Sequence, residues 1–172
     1  MKKIALSTFT VLIVSLTYGQ NCKFRIDEPD PITGEPHLRH DFLVKSDFVF
    51  KTNVFVGLEK KAGKLLVNAV ATVVGEEDLI VPSGTSFVIK LENGDTLSAV
   101  STNDAAPVSF ILGTNVFTKY EICYDVDQKF MAALASSPPT FIRIRLGSGR
   151  QADANIKKGA SKKIMKYADC LK

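Results

Sequence analysis

Two histidines and an aspartate stand close together near the start of the chain, in the pattern His37-x-x-His40-Asp41. Neutral imidazole and carboxylate are both ligands that zinc accepts. The residues follow a proline-rich turn, and side chains three apart in an extended segment do not converge on one side of a strand. The spacing therefore predicts solvated polar residues beside a turn, and we expect no metal ligands here.

A glycine-rich segment, Gly147-Ser148-Gly149, lies between a predicted strand and a predicted helix, and Arg145 and Arg150 flank it. Helix N-termini present free N–H groups to anions, and the two guanidinium groups add positive charge. These five residues form a candidate anion site. The competing interpretation is a short connector, which is the usual way for a chain to pass from a strand to a helix.

Three cysteines, Cys22, Cys123 and Cys170, allow three single-bridge pairings and leave one thiol over. Domain termini often lie close together at the surface, which favours a Cys22–Cys170 bridge that clamps both ends. Cys123 stands in an alternating stretch typical of a strand, where a buried cysteine behaves as a small hydrophobe. The functional alternative for Cys123 is a nucleophile served by a histidine, for which the sequence offers only His37 and His40.

Catalytic signatures are otherwise missing from the sequence. The acidic residues cluster at predicted turns and caps, where carboxylates serve the local backbone. The chain has no Gly-x-Ser-x-Gly elbow and only two histidines, so most acid–base hydrolase mechanisms lose their usual participant. We predict no catalytic, cofactor-binding or metal-binding residues.

The elements that must position these residues are mostly strands. Asn93-Gly94 between two alternating segments predicts a tight hairpin. Asp125 and Gln128 fit a capping box for one helix, and Asp153 is a candidate cap for the last helix. The pattern predicts about seven strands followed by two helices in the C-terminal third. This order indicates an α+β fold with a mainly antiparallel sheet.

The predicted last helix carries five lysines opposite its apolar stripe: Lys157, Lys158, Lys162, Lys163 and Lys166. A basic amphipathic helix can lie on a membrane or meet an acidic partner. The sequence favours a simpler interpretation, a solvated face of a helix packed on the sheet, partly because Cys170 would tether it to the body.

The N-terminus has the pattern of a secretory signal: Lys2 and Lys3, an apolar run, and a small residue at Gly19. We expect a signal peptide over residues 1–19 and a single domain over residues 20–172, secreted or periplasmic and without a membrane span. The mature part keeps 20 basic and 18 acidic residues. This near balance argues against nucleic-acid binding.

Both ends of the predicted mature chain resemble a family of uncharacterised small secreted bacterial proteins. The opening has Cys22 and then Asp30-Pro31-Ile32-Thr33-Gly34, and the ending has the strand Phe141–Arg145 and a lysine-rich helix closing in Ala168-Asp169-Cys170-Leu171. In that family a cysteine near each end frames the domain. The resemblance implies the fold and the bridge but no activity, and Cys123 is an addition to the family's pattern.

The sequence therefore predicts an exported, non-enzymatic binding or interaction module, whose partner is another protein or a component of the cell envelope. One alternative is a small periplasmic hydrolase or transferase that uses acidic residues or Cys123. Another is a protein that binds an apolar ligand between its sheet and helices.

Overall fold

The computed structural model describes residues 22–47, 52–147 and 149–172, and within these ranges the chain forms ten strands and two helices. The strands make two antiparallel sheets, and both helices fall in the C-terminal third. The predicted α+β class is confirmed, with ten strands in two sheets where the sequence indicated about seven in one. The predicted signal peptide, residues 1–19, lies outside the described residues.

The larger sheet has six strands in the spatial order β1-β2-β3-β4-β8-β7, and the smaller has four in the order β10-β9-β5-β6. Every neighbouring pair in both sheets is antiparallel. In chain order the elements are β1 (Ile26–Pro29), β2 (Pro36–Asp47), β3 (Thr52–Lys61), β4 (Lys64–Val74), β5 (Ser86–Leu91), β6 (Thr96–Val100), β7 (Val108–Leu112), β8 (Asn115–Val126), α1 (Gln128–Ser136), β9 (Pro139–Arg145), β10 (Gln151–Asn155) and α2 (Lys158–Leu171).

Tight turns hold the hairpins in register. The predicted Asn93-Gly94 turn joins β5 to β6, with Gly94 at φ 93° and the amide of Asp95 donating to the side-chain oxygen of Asn93 at 3.1 Å. A glycine adopts this backbone conformation without the steric penalty that a β-carbon brings. The hairpin predicted from the Asn-Gly pair is therefore confirmed.

The first helix begins two residues later than the capping box predicts. Asp125 and Val126 still belong to β8, because they pair with Leu66 and Leu65 of β4. The N-cap is Asp127, whose carboxylate accepts a hydrogen bond of 2.7 Å from the amide of Phe130. The Asp125 and Gln128 box is thus wrong, since strand pairing extends β8 through the predicted cap.

The start of the last helix also differs from the prediction. Asp153 is in β10, opposite Arg143 of β9, and its carboxylate accepts two hydrogen bonds from that guanidinium at 2.9 and 2.6 Å. Helix α2 begins only at Lys158, after Lys157 at the N-cap. Asp153 therefore pairs across two strands, and the predicted helix cap is wrong.

The core lies between the two sheets and includes the buried sides of both helices. Phe87 of the smaller sheet stacks on Tyr124 of the larger sheet, with ring centroids 4.7 Å apart. One continuous cluster of buried side chains joins the layers: Val54, Val56, Leu58, Val67, Ala69, Ala71, Ile89, Ile122, Phe130, Met131, Leu134, Ile142, Ile144, Ile164, Ala168 and Leu171. In the part of the chain that the structure describes, no helix has the length and apolar character needed to cross a bilayer.

The two ends of the domain are joined where α2 meets β2. A disulfide links Cys22 to Cys170, whose Cα atoms are 6.5 Å apart, so the predicted bridge is confirmed. Beside it, the Tyr167 ring stacks on His40 with centroids 4.0 Å apart, and the Tyr167 hydroxyl donates to the carbonyl of Lys23 at 2.6 Å. The chain before β1 is therefore fixed to α2 by one covalent bond and one hydrogen bond.

Candidate functional site

The larger sheet has one face in the core and one face that neither helix covers. Tyr167 of α2 packs on His40 and Phe42, so this helix lies on the core side of β2. Side chains alternate along strands, and residues opposite each other in an antiparallel pair share a face. The residues of this side, here called the outer face, include His37, Arg39, Asp41, Leu43, Phe55, Gly57, Glu59, Leu66, Asn68, Val70, Thr72, Val74, Val108, Phe110, Leu112, Phe117, Lys119, Glu121, Cys123 and Asp125.

A buried carboxylate, Glu59, lies at one end of the outer face and is held by residues of neighbouring strands. His37 Nε2 is 2.7 Å from Glu59 Oε1, and the Asn68 amide donates to the other carboxylate oxygen. The Arg39 guanidinium lies 3.8 Å from that same oxygen. The Glu59 side chain is 8% exposed. Because buried charges need such partners, the cluster stabilises the pairing of β2, β3 and β4.

A second carboxylate, Asp41, extends this network toward β1. Its two oxygens accept hydrogen bonds of 3.0 Å from Arg25 and from Arg39. Gly57 lies opposite Asp41, and a β-carbon at Gly57 would overlap the carboxylate. The glycine therefore leaves room for Asp41, and an open depression of about 490 Å³ adjoins these residues, lined by Arg25, Ile26, Arg39, Asp41, Phe55, Val70 and Glu121.

Cys123 carries a free, half-buried thiol on the outer face, directly opposite Asn68. Burial raises the pKa of this thiol above its ordinary value, and the carboxylates of Asp125 and Glu59 raise it further. A nucleophilic cysteine needs the opposite, a pKa lowered by a cation or a histidine. This environment keeps the sulfur protonated and gives no support to a catalytic thiol.

The two histidines are separated by the sheet, as their spacing predicts. His37 is held by Glu59, whereas His40 stacks on Tyr167 in the core, where burial lowers the pKa of its imidazole. Among residues 22–47, 52–147 and 149–172, no group of three or more His, Cys, Asp and Glu side chains is arranged to hold a metal ion.

The candidate anion loop connects the strands β9 and β10. The prediction that this loop precedes a helix, on which the anion site was based, is therefore wrong. A β-carbon at Gly147 would overlap the carbonyl oxygens of Leu79 and Ile80, which explains the glycine by close backbone packing. The Gly149 amide donates to the Leu146 carbonyl at 3.0 Å. The remaining members are the exposed Arg145, Arg150, which pairs with Glu77, and Ser148, which lies outside the described residues. Anion binding by this loop stays a prediction.

The edge strand β7 is the most exposed apolar segment of the larger sheet. All five of its residues are exposed, and Ile111 and Leu112 reach 74% and 67%. The strand contains no charged residue. Phe110 stacks on Phe117 of β8, which lies opposite Val74, so an apolar row crosses three strands of the outer face. Among the described residues β7 has a strand on one side only, so its other side presents a row of N–H and C=O groups that no strand pairs.

The sequence did not reveal the Glu59 network or the exposure of β7. Both depend on which strands are neighbours and in what register, and no local motif carries that information. Searches of protein-family models, of curated proteins and of solved structures each found no match for this chain.

Proposed function

We propose that this protein is an exported, non-enzymatic interaction module that binds an extended segment of a partner protein along β7. The observation that carries the proposal is the bare apolar edge of the larger sheet. A partner strand that adds to such an edge gains main-chain hydrogen bonds for affinity and contacts to alternate side chains for specificity.

An added strand would cover side chains of β7 that are now exposed. Val108, Phe110 and Leu112 share the outer face, and Ile111 points to the other side. Complete burial of a large aliphatic side chain stabilises a complex by about 1.5–3 kcal/mol. Burial of Ile111 and Leu112 would therefore contribute about 3–6 kcal/mol at most, and main-chain hydrogen bonds would add to this against the cost of association.

The polar groups of the outer face support a binding role over a catalytic one. Glu59 is saturated with partners, Cys123 has a raised pKa, and the two histidines lie on opposite sides of the sheet. The alternatives of a small hydrolase or transferase and of an apolar-ligand carrier stay predictions that no particular observation favours.

Export is supported by the signal-like N-terminus and by the disulfide. Bridges of this kind persist in oxidising compartments such as the periplasm and the extracellular space. The Cys22–Cys170 bridge also fits the resemblance to small secreted bacterial proteins that have a cysteine near each end. On this proposal the partner is a protein of the cell envelope or its surroundings.

Photo-crosslinking in the native host tests the proposal. A photoreactive benzoylphenylalanine replaces Ile111 in one variant and Ile32 in a matched control. Both side chains are large, apolar and exposed, but Ile32 lies in the turn between β1 and β2. We expect a discrete adduct with one other polypeptide from position 111 and none from position 32, measured by mass spectrometry of the exported fraction.

Two outcomes would contradict the proposal. Equal adducts from both positions would show that exposed apolar side chains of this protein crosslink without specificity. No adduct from position 111, in a variant that is exported with its disulfide intact, would show that β7 has no partner under those conditions.

A further inference from the structure

The exposed side of α2 is a row of lysines. Lys158, Lys162 and Lys166 are spaced four residues apart, which places them on successive turns of one helical face, and Lys163 lies beside them. All four are exposed. The opposite side of the helix is buried in the core through Ser161, Ile164, Ala168 and Leu171.

Positive charge is concentrated in this helix while the remainder of the domain is acidic. Residues 157–172 contain six lysines and one aspartate, whereas residues 20–156 contain 14 basic and 17 acidic residues. The one aspartate, Asp169, pairs with Lys172 at the end of the helix. No carboxylate in the part of the chain that the structure describes forms an ion pair with Lys158 or Lys162. Lys158 and Lys162 therefore face solvent without a carboxylate partner among the described residues.

We propose that this lysine row adsorbs the protein on an anionic phospholipid surface. The row lies along a convex helix, so it does not enclose a small ligand. It also lacks arginine and exposed aromatic anchors, and lysine is depleted at protein–protein interfaces. Each lysine near an anionic bilayer contributes separately to the attraction, and no shape matching is needed.

Adsorption leaves α2 in place. An interfacial amphipathic helix inserts its apolar face into the lipid, but the apolar face of α2 is already buried against the core, and Cys170 is bonded to Cys22. Binding is therefore electrostatic and reversible by salt. The acidic remainder of the domain is repelled from the same surface, which orients the molecule with α2 toward the lipid.

Vesicle flotation of the full mature chain, with its disulfide intact, tests this inference. One set of vesicles contains phosphatidylglycerol and phosphatidylcholine in equal parts, and the other contains phosphatidylcholine alone. We expect binding only to the anionic set. At about 1 M salt the Debye length falls to about 3 Å, so this binding should be lost.

Two charge-matched variants locate the contact. The first is Lys158→Gln/Lys162→Gln/Lys163→Gln in α2, and the second is Lys60→Gln/Lys61→Gln/Lys64→Gln at the hairpin of β3 and β4. Loss of three lysines at a bilayer surface corresponds to a drop of about 100-fold in partition coefficient. We expect that drop for the helix variant and little change for the hairpin variant.

The inference is overturned if the wild-type protein does not bind anionic vesicles at low salt, or if both variants lose binding equally, since net charge alone would then be responsible. Binding to polyglutamate without binding to anionic vesicles would also overturn it and would assign the lysine row to an acidic protein. The inference does not depend on β7, so the crosslinking result and the vesicle result can fail separately.

Discussion

At one edge of the larger sheet β1 has four residues, of which two are acidic and the last is a proline, whereas at the other edge β7 has five residues and no charge. The chain just before β1 is also fixed, because Arg25 pairs with Asp41 and its amide donates to the Arg39 carbonyl at 2.8 Å. The hairpin Gly113-Thr114 leads directly from β7 into β8.

Short length, charge and proline are the devices by which natural sheets prevent edge-to-edge pairing. The β1 edge has all three, so this sequence does protect an edge where pairing is unwanted. At five residues β7 is nearly as short, but it contains neither a charge nor a proline, so the two edges differ in composition, and this difference agrees with the proposed strand addition at β7.

Removal of the disulfide should have the largest effect, which is on the free energy of unfolding. It should also make β1 less well held and so more similar to β7. The variant Cys22→Ser/Cys170→Ser frees the chain before β1 and opens a loop of 148 residues. In the chain-entropy model this lowers the free energy of unfolding by about 5 kcal/mol. Urea denaturation measures the loss, and hydrogen exchange should accelerate more at β1 than at β7.

The control for that variant is Cys123→Ser, which removes the free thiol and leaves the bridge. We expect its unfolding free energy to stay within about 1 kcal/mol of wild type, because the site is half-buried and the exchange is nearly isosteric. Equal acceleration of exchange at both edges in the double variant would show that the bridge does not specifically hold β1.

Removal of the acidic side chains from the β1 edge should have an intermediate effect, which is on self-association. Asp27→Val/Glu28→Val removes both charges from β1, whose side chains there are exposed. In this variant, like charges no longer repel each other when two β1 edges meet. We expect this to favour self-association by about 1–2 kcal/mol, or about tenfold in the association constant. Sedimentation velocity over a concentration series measures the change.

Glu76→Val/Asp78→Val is the matched control, because it removes two exposed acids from the loop between β4 and β5, which contacts β8 and lies across the sheet from β1. It changes net charge and hydropathy by similar amounts. If the control variant associates as strongly as the β1 variant, surface hydropathy rather than edge protection is responsible.

The smallest expected effect is a pH dependence confined to the turn after β1. Asp30 accepts hydrogen bonds of 3.0 Å from the amides of Thr33 and Ile32, and these bonds hold the pKa of its carboxyl below the ordinary value. A lowered pKa means that the stabilisation is present above about pH 4 and is lost as the pH falls further, through the pKa of the folded state.

We expect the amide resonances of Ile32 and Thr33 to shift, and their protection from exchange relative to the intrinsic rate to fall, below about pH 4 in the wild-type protein. In Asp30→Asn, whose amide oxygen still accepts hydrogen bonds but does not titrate, this change should be absent. A response of the same size at β7 would show that the acid effect is global.

Local signals in the sequence were sufficient for several elements. The Asn93-Gly94 turn set its hairpin, and the positions of Cys22 and Cys170 at the two ends indicated the bridge. The strand β10 was missed because Gln151–Asn155 consists of alanines and small polar residues with weak strand preference. It forms by pairing with β9, with Asp153 held by Arg143.

The contacts of the candidate site could not be predicted from local sequence patterns, because they form between separate strands. His37, Glu59 and Asn68 are far apart along the chain and become neighbours only through the register of β2, β3 and β4. The segment Val108–Leu112 is mostly apolar in sequence, but its position at a sheet edge depends on the strand order. A one-residue change of register would have turned each of these side chains to the other face.

The bond between Cys22 and Cys170 makes a closed ring of nearly the whole domain. A protease that cuts the ring once adds a water molecule across one peptide bond and releases nothing, because both pieces stay joined through sulfur. Two cuts, or one cut and a reductant, are needed to free a fragment. When such a chain meets peptidases, a single nick in a surface turn thus leaves one covalently connected molecule.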